Sequence, residues 1–248
     1  MKISIVTAVY NNRGTIAAAL DSVLSQTGAD VELIVIDGGS TDGTLEVLNA
    51  YADRLAVLVS EPDKGIYDAL NKGIRRASGE AVGFLHSDDL FADSSVLKRV
   101  AQAFYDPKVD AVYGDLLYVR KDNPDEVVRY WQAGAFSRIR LGWGWMPPHP
   151  TFYVRRAIYE GLGLFDTQYR IAADYDCMLR FLGRGGLRVG YIPEVLVKMR
   201  LGGASNRSLK NVLRKSLEDY RALKNNQVGG IGALVWKNLS KLPQFFVY

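Results

Sequence analysis

Cysteine and histidine are scarce in this 248-residue sequence, and each shortage removes a class of site. Cys177 is the single cysteine, so the chain cannot form an internal disulfide, which fits a reducing cytoplasm. Its position in an apolar helical stretch predicts an inert thiol. The two histidines, His86 and His149, are too few for a metal centre built from imidazoles.

Long hydrophobic runs are also missing. No apolar stretch approaches the roughly 18 residues that a membrane-spanning helix needs, so we expect a chain that is not integral to a membrane. The apolar N-terminus turns polar at Asn11–Arg13, which is too early for a signal peptide and is typical of a buried strand. We therefore expect a cytoplasmic protein.

Two glycine-rich phosphate-binding patterns are absent as well. The sequence has neither the G-x-G-x-x-G fingerprint of dinucleotide-binding folds nor a G-K-[ST] phosphate loop. These absences argue against NAD enzymes and P-loop NTPases. The stretch Tyr10–Gly14 also lacks the basic, glycine-rich loop that is usual near the N-terminus of a nucleotidyltransferase.

Basic charge is concentrated at the C-terminal end. The formal net charge is +4, but residues 201–248 carry eight basic and two acidic side chains, a balance of +6, which leaves −2 for residues 1–200. A nucleic-acid-binding protein would need its basic excess across a recognition face, so we expect no nucleic-acid partner. The charged residues of this segment are Arg207, Lys210, Arg214, Lys215, Glu218, Asp219, Arg221, Lys224, Lys237 and Lys241.

Apolar residues accompany these basic side chains, at 228–235 and at Phe245–Val247. Basic residues beside apolar and aromatic ones suit an anionic membrane surface. The alternative is a solvated helix that packs one face on the domain. The sequence thus leaves both a membrane contact and a purely structural role open for the C-terminal segment.

The first 90 residues alternate between strand and helix patterns. Apolar runs predict strands at 2–9, 31–36, 55–59 and 81–85, and a 3.6-residue period predicts a helix after each of the first three. This order predicts a mainly parallel sheet flanked by helices, whose ligands bind beyond the carboxyl ends of the strands. Polar clusters stand at those ends: Tyr10–Asn12, Asp37–Ser40, Glu61–Lys64 and His86–Asp89.

Beyond residue 104 the periodicity weakens. We expect strands at 111–113 and 127–130, a loop rich in Trp, Pro and Gly at 142–150, and helices at 175–182 and 209–223. No internal repeat or Pro/Ser-rich linker interrupts the chain. The simplest organisation is one catalytic domain, residues 1–200, followed by a basic helical extension, residues 201–248.

Asp37 is a candidate ligand of a nucleotide. It ends the second predicted strand and enters a turn with three glycines, of which Gly38 is the first. A carboxylate there can accept hydrogen bonds from a ribose or a base, while glycines let the backbone approach a ligand closely. The alternative is a turn and helix cap, because Ser40 and Thr41 are good capping residues.

Asp88 and Asp89 follow the fourth predicted strand. Two adjacent carboxylates at the end of a buried strand repel each other unless something positive joins them. A hard divalent cation shared with diphosphate oxygens is the favoured interpretation. A helix cap is the alternative, although Asp93 fills that role more simply.

Four further residues could act on an acceptor. Asp174 precedes an apolar helical stretch and could serve as a general base, with Asp176 on a different face of the same helix. His149 lies in a proline-restricted loop and could bind an acceptor or a phosphate, whereas a lone histidine is more often structural. Trp143 and Trp145 could stack on a sugar, although core packing is the commoner use of tryptophan.

Taken together and in order, these segments resemble the inverting family 2 glycosyltransferases with a GT-A fold, over residues 2–200. The similar segments are Ser4–Asn11, Ile36–Thr44, the block Glu61–Gly73 common in bacterial exopolysaccharide and O-antigen members, the D-x-D region at His86–Asp89, and the base motif at Ala173–Asp176. Residues Met146–Val154 are similar to members of colanic-acid-type pathways.

The resemblance implies a nucleotide-diphosphate sugar donor and a divalent ion, Mg²⁺ or Mn²⁺, held by Asp88 and Asp89. It implies Asp174 as the base. From the residues themselves we expect Trp143, Trp145 and His149 at the acceptor. The residues implied for nucleotide-sugar binding are Thr7, Val9, Tyr10, Asn11, Asp37, Gly38, Lys64, Asp68 and Asp88.

The sequence departs from the family at two positions. His86 stands where many members have the first Asp of D-x-D, and Ala173 replaces the Glu that usually precedes the base. The Q-x-x-R-W motif of processive synthases is absent, so transfer of a single sugar is expected. The expected role is bacterial surface polysaccharide synthesis on a lipid-linked acceptor, at the inner face of the cytoplasmic membrane. The alternatives are an inactive sugar-nucleotide-binding homologue and a nucleotidyltransferase; the oligomeric state is left open.

Overall fold

The structure, a computed structural model, describes residues 1–202 and 209–239. The expectations for Arg207, Lys241 and Phe245–Val247 lie outside the described residues. Among the described helices, none combines the length and the apolar character that crossing a bilayer requires.

The first half of the chain forms four parallel strands joined by helices. The elements are β1 (Lys2–Val9), α1 (Ile16–Leu24), β2 (Asp30–Asp37), α2 (Thr44–Asn49), β3 (Val57–Ser60), α3 (Ile66–Arg76) and β4 (Ala81–Phe84). Strands β2 and β4 flank β1 in the sheet, and β3 pairs with the outer side of β2. β1 pairs with β2 in register from Lys2 opposite Asp30 to Val9 opposite Asp37. This half confirms the predicted order.

The second half extends the same sheet with antiparallel pairs. The elements are β5 (Leu90–Phe91), α4 (Val96–Ala103), β6 (Ala111–Val119), β7 (Val127–Trp131), α5 (Arg138–Leu141), β8 (Tyr153–Arg155), α6 (Arg156–Leu162), α7 (Ala173–Leu179), β9 (Val189–Arg200), α8 (Leu209–Asn225) and α9 (Ile231–Leu239). β8 lies antiparallel between β4 and β6, and β9 runs parallel to β6. β5 pairs with β9, and β7 pairs with β6. α7 continues as a π-helical turn over Arg180–Arg184.

The sequence patterns did not predict β5, β8, β9, α5 or α6. In β9 the register jumps, since Gly114 pairs with Ile192 and Asp115 with Val195. Pro193 and Glu194 fall in this bulge, where the missing proline N–H costs no ladder hydrogen bond. The bulge interrupts the apolar alternation of β9, so the sequence pattern did not indicate a strand, although β9 pairs with β6 on both sides of the bulge.

The C-terminal helices pack on the rest of the protein. Ala222 and Leu223 of α8 and Ala233 of α9 are buried in the cluster that contains α7. The buried Lys237 ammonium of α9 lies 2.9 Å from Asp219 Oδ2 and 3.1 Å from the centre of the Tyr175 ring. Opposite charge and a π face together compensate the desolvation of this cation. The division of the chain near residue 200 stays a prediction.

Candidate functional site

Three loops meet at the carboxyl ends of β1, β2 and β4. The Asn11 backbone N–H donates to Ser40 Oγ (2.8 Å), and the Thr41 N–H donates to Asn11 Oδ1 (2.8 Å). Asn12 Nδ2 donates to Ser87 Oγ over 2.8 Å. Asn11 has a φ of 47°, a left-handed conformation that asparagine tolerates better than most residues. The loop after β1 is therefore hydrogen-bonded both to the loop after β2 and to the loop after β4. The loop after β4, His86–Asp89, is called the acidic loop below.

The Asp37 carboxylate is buried and faces its own turn. It accepts hydrogen bonds from the Ser40 N–H (3.1 Å), the Ser40 hydroxyl (2.5 Å), the Ser60 hydroxyl (2.6 Å) and the Gly39 N–H (3.2 Å). Both of its oxygens thus have protein donors, as in the turn-and-cap interpretation. A direct contact of Asp37 with a nucleotide stays a prediction.

Tyr10, Gly38 and Asp63 face one another at this edge. Tyr10 is exposed, and a Cβ on Gly38 would touch its ring at 3.4 Å and collide with Asp63 Oδ2. Asp63 also accepts a hydrogen bond from the Gly65 N–H over 2.7 Å. The missing side chain at Gly38 therefore leaves a carboxylate and an aromatic ring side by side. Sequence reasoning missed Asp63, whose only signal was its place in the block that starts at Glu61.

The other predicted nucleotide residues divide between surface and core. Lys64 is exposed, and its backbone N–H donates to Asp68 Oδ2 over 3.1 Å, so Asp68 braces the loop before α3. Thr7 and Val9 are buried, and the Val9 carbonyl accepts from the Gly38 N–H over 2.9 Å. Any part that these two side chains play in nucleotide binding stays a prediction.

Asp88 and Asp89 have different environments. Asp88 is half-buried, whereas Asp89 is 1% exposed and its Oδ1 accepts the Arg200 backbone N–H over 3.1 Å. Arg200 Nη1 in turn donates to the Asp88 carbonyl over 2.7 Å. Burial, and then the charge of Asp88, raise the pKa of Asp89 well above its usual range. Asp89 therefore fastens the acidic loop to the end of β9, and Asp88 is the accessible carboxylate.

This edge fits a divalent ion that takes few ligands from the protein. The described residues hold no group of three or more His, Cys, Asp or Glu side chains that could bind a metal ion. A single accessible carboxylate, Asp88, suits an ion that completes its shell with diphosphate oxygens and water, as Mg²⁺ commonly does. The buried Asp89 suits that role less well, and its place as a metal ligand stays a prediction.

Asp174 reaches the same region from α7. It is half-buried, and its Oδ1 lies 3.1 Å from the Tyr67 hydroxyl, which also lies 2.6 Å from the Ile171 carbonyl. Burial, and then the charge of Asp174, raise the pKa of Tyr67 well above its usual range, so the phenol stays protonated. Asp176 is buried and bound by Asn226 Nδ2 over 2.8 Å. Of the two carboxylates, Asp174 is the accessible one.

Glu218 of α8 holds the segment before α7 from the other side. Its Oε2 accepts the backbone N–H groups of Ile171 (2.8 Å) and Ala172 (3.0 Å). These N–H groups lie immediately before the first residue of α7, Ala173, where the helix dipole also favours a carboxylate. Glu218 is far from Asp174 in the chain, so no local pattern pointed to it.

His149 and His86 form a pair of neighbouring imidazoles beside the acidic loop. The His149 ring stacks on Phe84 with centroids 5.5 Å apart, and the two imidazole centroids are 5.7 Å apart. Burial lowers the pKa of His149 to about 4, opposed by the Asp174 charge, and burial also lowers that of His86. The charges of Asp88 and Asp174 both act on His86. His149 also meets Phe165, which packs against the Tyr67 ring beside Asp174, so the imidazole pair adjoins both acidic segments.

The two tryptophans lie in a different packing environment. Trp145 packs against Tyr113 with centroids 5.9 Å apart, and its Nε1–H donates to the Ala133 carbonyl over 3.3 Å. Trp143 is exposed, and the next residue, Gly144, packs against Ala233 of α9. These contacts favour a packing role for Trp145. A role for either tryptophan at the acceptor stays a prediction.

Comparison with known proteins identifies the family. The chain belongs to glycosyl transferase family 2, whose model matches residues 4–171. A PGL/p-HBAD biosynthesis glycosyltransferase of Mycobacterium bovis BCG is 34% identical over 209 residues, which cover 82% of this chain and 78% of the relative. The chain is thus of the glycosyltransferase class that its motifs resemble.

Solved structures agree on the GT-A-like α/β fold. TarS of S. aureus in complex with UDP-GlcNAc has a TM-score of 0.69 at 19% identity, covering 92% of this chain and 66% of that chain. The chain spans 44% of a longer TarS structure. Mannosyltransferase PcManGT of Pyrobaculum calidifontis, in complex with GDP-Man and Mn²⁺, has a TM-score of 0.67 at 20% identity, covering 98% of this chain and 72% of that chain. The predicted fold class is confirmed.

Proposed function

We propose that this protein transfers one sugar from a nucleotide-diphosphate sugar to an acceptor hydroxyl with inversion at the anomeric carbon. The observation that carries the proposal is one cluster of rings that joins the two acidic segments. His86, two residues before Asp88, has its ring 5.7 Å from that of His149, which meets Phe165 at 6.0 Å. Phe165 packs 5.6 Å from the Tyr67 ring, whose hydroxyl lies 3.1 Å from Asp174 Oδ1. A carboxylate for the diphosphate end and a carboxylate for the acceptor end thus lie near one point. Inverting transfer needs these two groups around one reacting carbon.

The nucleotide binds across the ends of β1 and β2. The exposed Tyr10 ring offers a stacking face for the base, and Asp63 Oδ2 offers an acceptor beside it, across Gly38. The relatives in complex with UDP-GlcNAc and with GDP-Man support a nucleotide-sugar donor. Asp37 shapes this turn through Ser40 and Ser60.

Asp88 holds Mg²⁺ or Mn²⁺ on the donor diphosphate, and the complex of PcManGT with Mn²⁺ supports this cofactor class. When bound, the ion neutralises negative charge on the departing diphosphate. Asp89 keeps Asp88 in place through its hydrogen bond from Arg200.

Asp174 accepts the proton of the acceptor hydroxyl. The acceptor oxygen forms its bond to the anomeric carbon on the face opposite the diphosphate, and the bond from that carbon to the diphosphate oxygen breaks, so the nucleoside diphosphate departs with the electron pair. One displacement inverts the configuration. Tyr67, a neutral hydrogen-bond donor 3.1 Å from Asp174 Oδ1, orients the base.

Asp174→Asn tests the base. This isosteric amide cannot take a proton, so turnover should fall by roughly 10²- to 10⁴-fold, while affinity for the nucleotide diphosphate stays unchanged. Asp176→Asn is the matched control on the same helix, since its carboxylate is buried against Asn226. Unimpaired transfer by Asp174→Asn would remove this residue from the role.

Calorimetric titration with UDP, GDP, CDP and dTDP, with and without Mn²⁺, tests the donor site. Binding of one diphosphate that strengthens with Mn²⁺ is expected, and Asp88→Ala should abolish the metal-dependent part. If no diphosphate binds under either condition, an inactive homologue replaces the enzyme as the favoured interpretation. Binding of a nucleoside triphosphate with release of pyrophosphate would instead favour a nucleotidyltransferase.

The acceptor is proposed to be a lipid-linked saccharide of bacterial surface glycoconjugate synthesis, at the inner face of the cytoplasmic membrane. The name of the mycobacterial relative, a PGL/p-HBAD biosynthesis glycosyltransferase, supports a glycoconjugate pathway. Helix α8 supports the membrane contact, because Leu213 and Leu217 are 67% and 71% exposed opposite the buried Ala222. Basic residues flank this apolar stripe: Arg214, Arg221 and Lys224.

Vesicle flotation tests this contact. The unmodified protein should float with phosphatidylglycerol vesicles and less with phosphatidylcholine vesicles, and Leu213→Asp/Leu217→Asp should stay in the soluble fraction. Glu46→Asp, on the exposed side of α2, is the control. Equal flotation of the double variant and the unmodified protein would contradict membrane binding by this stripe.

A further inference from the structure

His86 and His149 form a pair of imidazoles whose purpose the fold alone does not explain. Both rings are held by aromatic packing: His149 stacks on Phe84 at an interplanar angle of 21° and meets Phe165 edge-on at 6.0 Å. His86 lies beside His149, with centroids 5.7 Å apart. Packed rings of this kind keep fixed orientations, as a binding site requires.

Each imidazole keeps a nitrogen without a protein partner. Among the described residues, His86 Nδ1 and His149 Nε2 are buried side-chain atoms that make no hydrogen bond. Both side chains nevertheless keep part of their surface exposed. A buried polar nitrogen without a partner is unfavourable by about 1–3 kcal/mol, so it is rare unless a ligand uses it.

The chemistry of the pair selects the kind of ligand. Burial lowers the pKa of His149 to about 4, so this ring is neutral near pH 7. A neutral imidazole offers one donor and one acceptor, and it brings no positive charge for a phosphate. Hydroxyl groups donate and accept equally well, so a polyhydroxylated ring matches the pair better than an anion does.

The position of the pair points to the same ligand. His86 is two residues before Asp88, and its ring lies 5.7 Å from that of His149. His149 meets Phe165, which packs against Tyr67, and the Tyr67 hydroxyl lies 3.1 Å from Asp174 Oδ1. In the proposed reaction the transferred sugar must lie between the diphosphate, near Asp88, and the acceptor oxygen, near Asp174. The imidazole pair therefore adjoins the groups that would flank this sugar.

We infer that His86 and His149 form the subsite that holds the transferred sugar of the donor, by hydrogen bonds between their ring nitrogens and the sugar hydroxyls. This inference rests on the proposed function. It assigns sugar recognition to a pair contributed by two distant segments, the end of β4 and the turn His149–Thr151.

The test compares each nucleotide sugar with its own diphosphate. Affinities are measured by calorimetry with Mn²⁺ for UDP against UDP-glucose and UDP-GlcNAc, and for GDP against GDP-mannose. His149→Phe keeps an aromatic ring on Phe84 and removes both nitrogens, and His149→Gln and His86→Asn keep a polar amide. For whichever nucleotide the protein binds, His149→Phe should weaken the affinity for the nucleotide sugar by roughly three- to tenfold, because one or two hydrogen bonds are lost. The affinity for the corresponding diphosphate should stay unchanged.

The amide variants should lose less affinity than His149→Phe, because an amide can replace part of the hydrogen bonding. Equal weakening of the diphosphate and the nucleotide sugar, or no weakening of either, would overturn the sugar subsite and leave the proposed function standing. A wild-type protein that binds none of the diphosphates or nucleotide sugars would overturn the proposed function and the subsite together. If His149→Phe fails to fold, the comparison of His149→Gln with His86→Asn decides by the same criterion.

Discussion

Glu32 is expected to stabilise the fold through its charge, at the edge of the sheet opposite the candidate site. The carboxylate is buried near the start of β2 and accepts hydrogen bonds from Ser78 Oγ (2.7 Å), the Gly79 N–H (2.9 Å) and the Ser4 hydroxyl. Lys2 Nζ lies 2.6 Å from Glu32 Oε2. Replacing Glu32 with glutamine removes the charge and retains the shape.

The magnitude follows from the pKa of Glu32. Burial alone would raise this pKa, but the hydrogen bonds from Lys2, Ser4 and Ser78 outweigh burial and lower it from 4.5 to about 2. A depression of this size corresponds to about 3 kcal/mol of stability. Because the folded pKa is the lower one, this stability is fully present above the unfolded pKa of 4.5 and is lost as the pH falls toward 2.

Urea unfolding followed by tryptophan fluorescence measures the effect. At pH 7, Glu32→Gln should lower the free energy of unfolding by up to about 3 kcal/mol, and at pH 3 the difference should shrink to about half of that. Glu46→Gln, an exposed carboxylate on α2, should change it by less than about 0.5 kcal/mol. An equal loss at pH 7 and pH 3 would refute the reasoning, because it would assign the effect to packing rather than to charge.

Three further substitutions test other parts of the structure. Glu218→Ala should lower kcat about tenfold with KM nearly unchanged, since it frees the segment that carries the base, and Glu218→Gln should recover part of the rate in the same assay; a rise in KM alone would contradict this. Lys237→Met should destabilise the protein by about 3–5 kcal/mol in urea titrations, because Asp219 loses a buried partner; full stability would show that the pair contributes nothing. Gly73→Ala should destabilise the protein by about 1–3 kcal/mol and lower its thermal midpoint, because the added Cβ collides with Val6 Cγ1. An unchanged midpoint would mean that α3 can move away from β1 without loss of stability.

The sequence by itself determined the parallel half of the fold and the edge where the site lies. Strands β1, β2 and β4 are buried on both faces, so each one appears as a continuous apolar run with no need of tertiary information. The polar residues that follow these runs must then gather at one edge of the sheet. The general position of Asp37, Asp88 and Asp174 as candidates could therefore be inferred from local patterns and the family resemblance.

The tertiary structure decided which of those residues is accessible and what supports them. Adjacent residues such as Asp88 and Asp89 have the same local chemistry, and only the contact of Asp89 with the end of β9 distinguishes the two. Glu218 binds the backbone at Ile171, which is distant in sequence. Asp63 comes close to the Tyr10 ring only because Gly38, between them, has no side chain. β9 itself is interrupted at Pro193, and its pairing with β6 compensates for that interruption. Such contacts depend on which segments meet in space, and local periodicity carries no information about that.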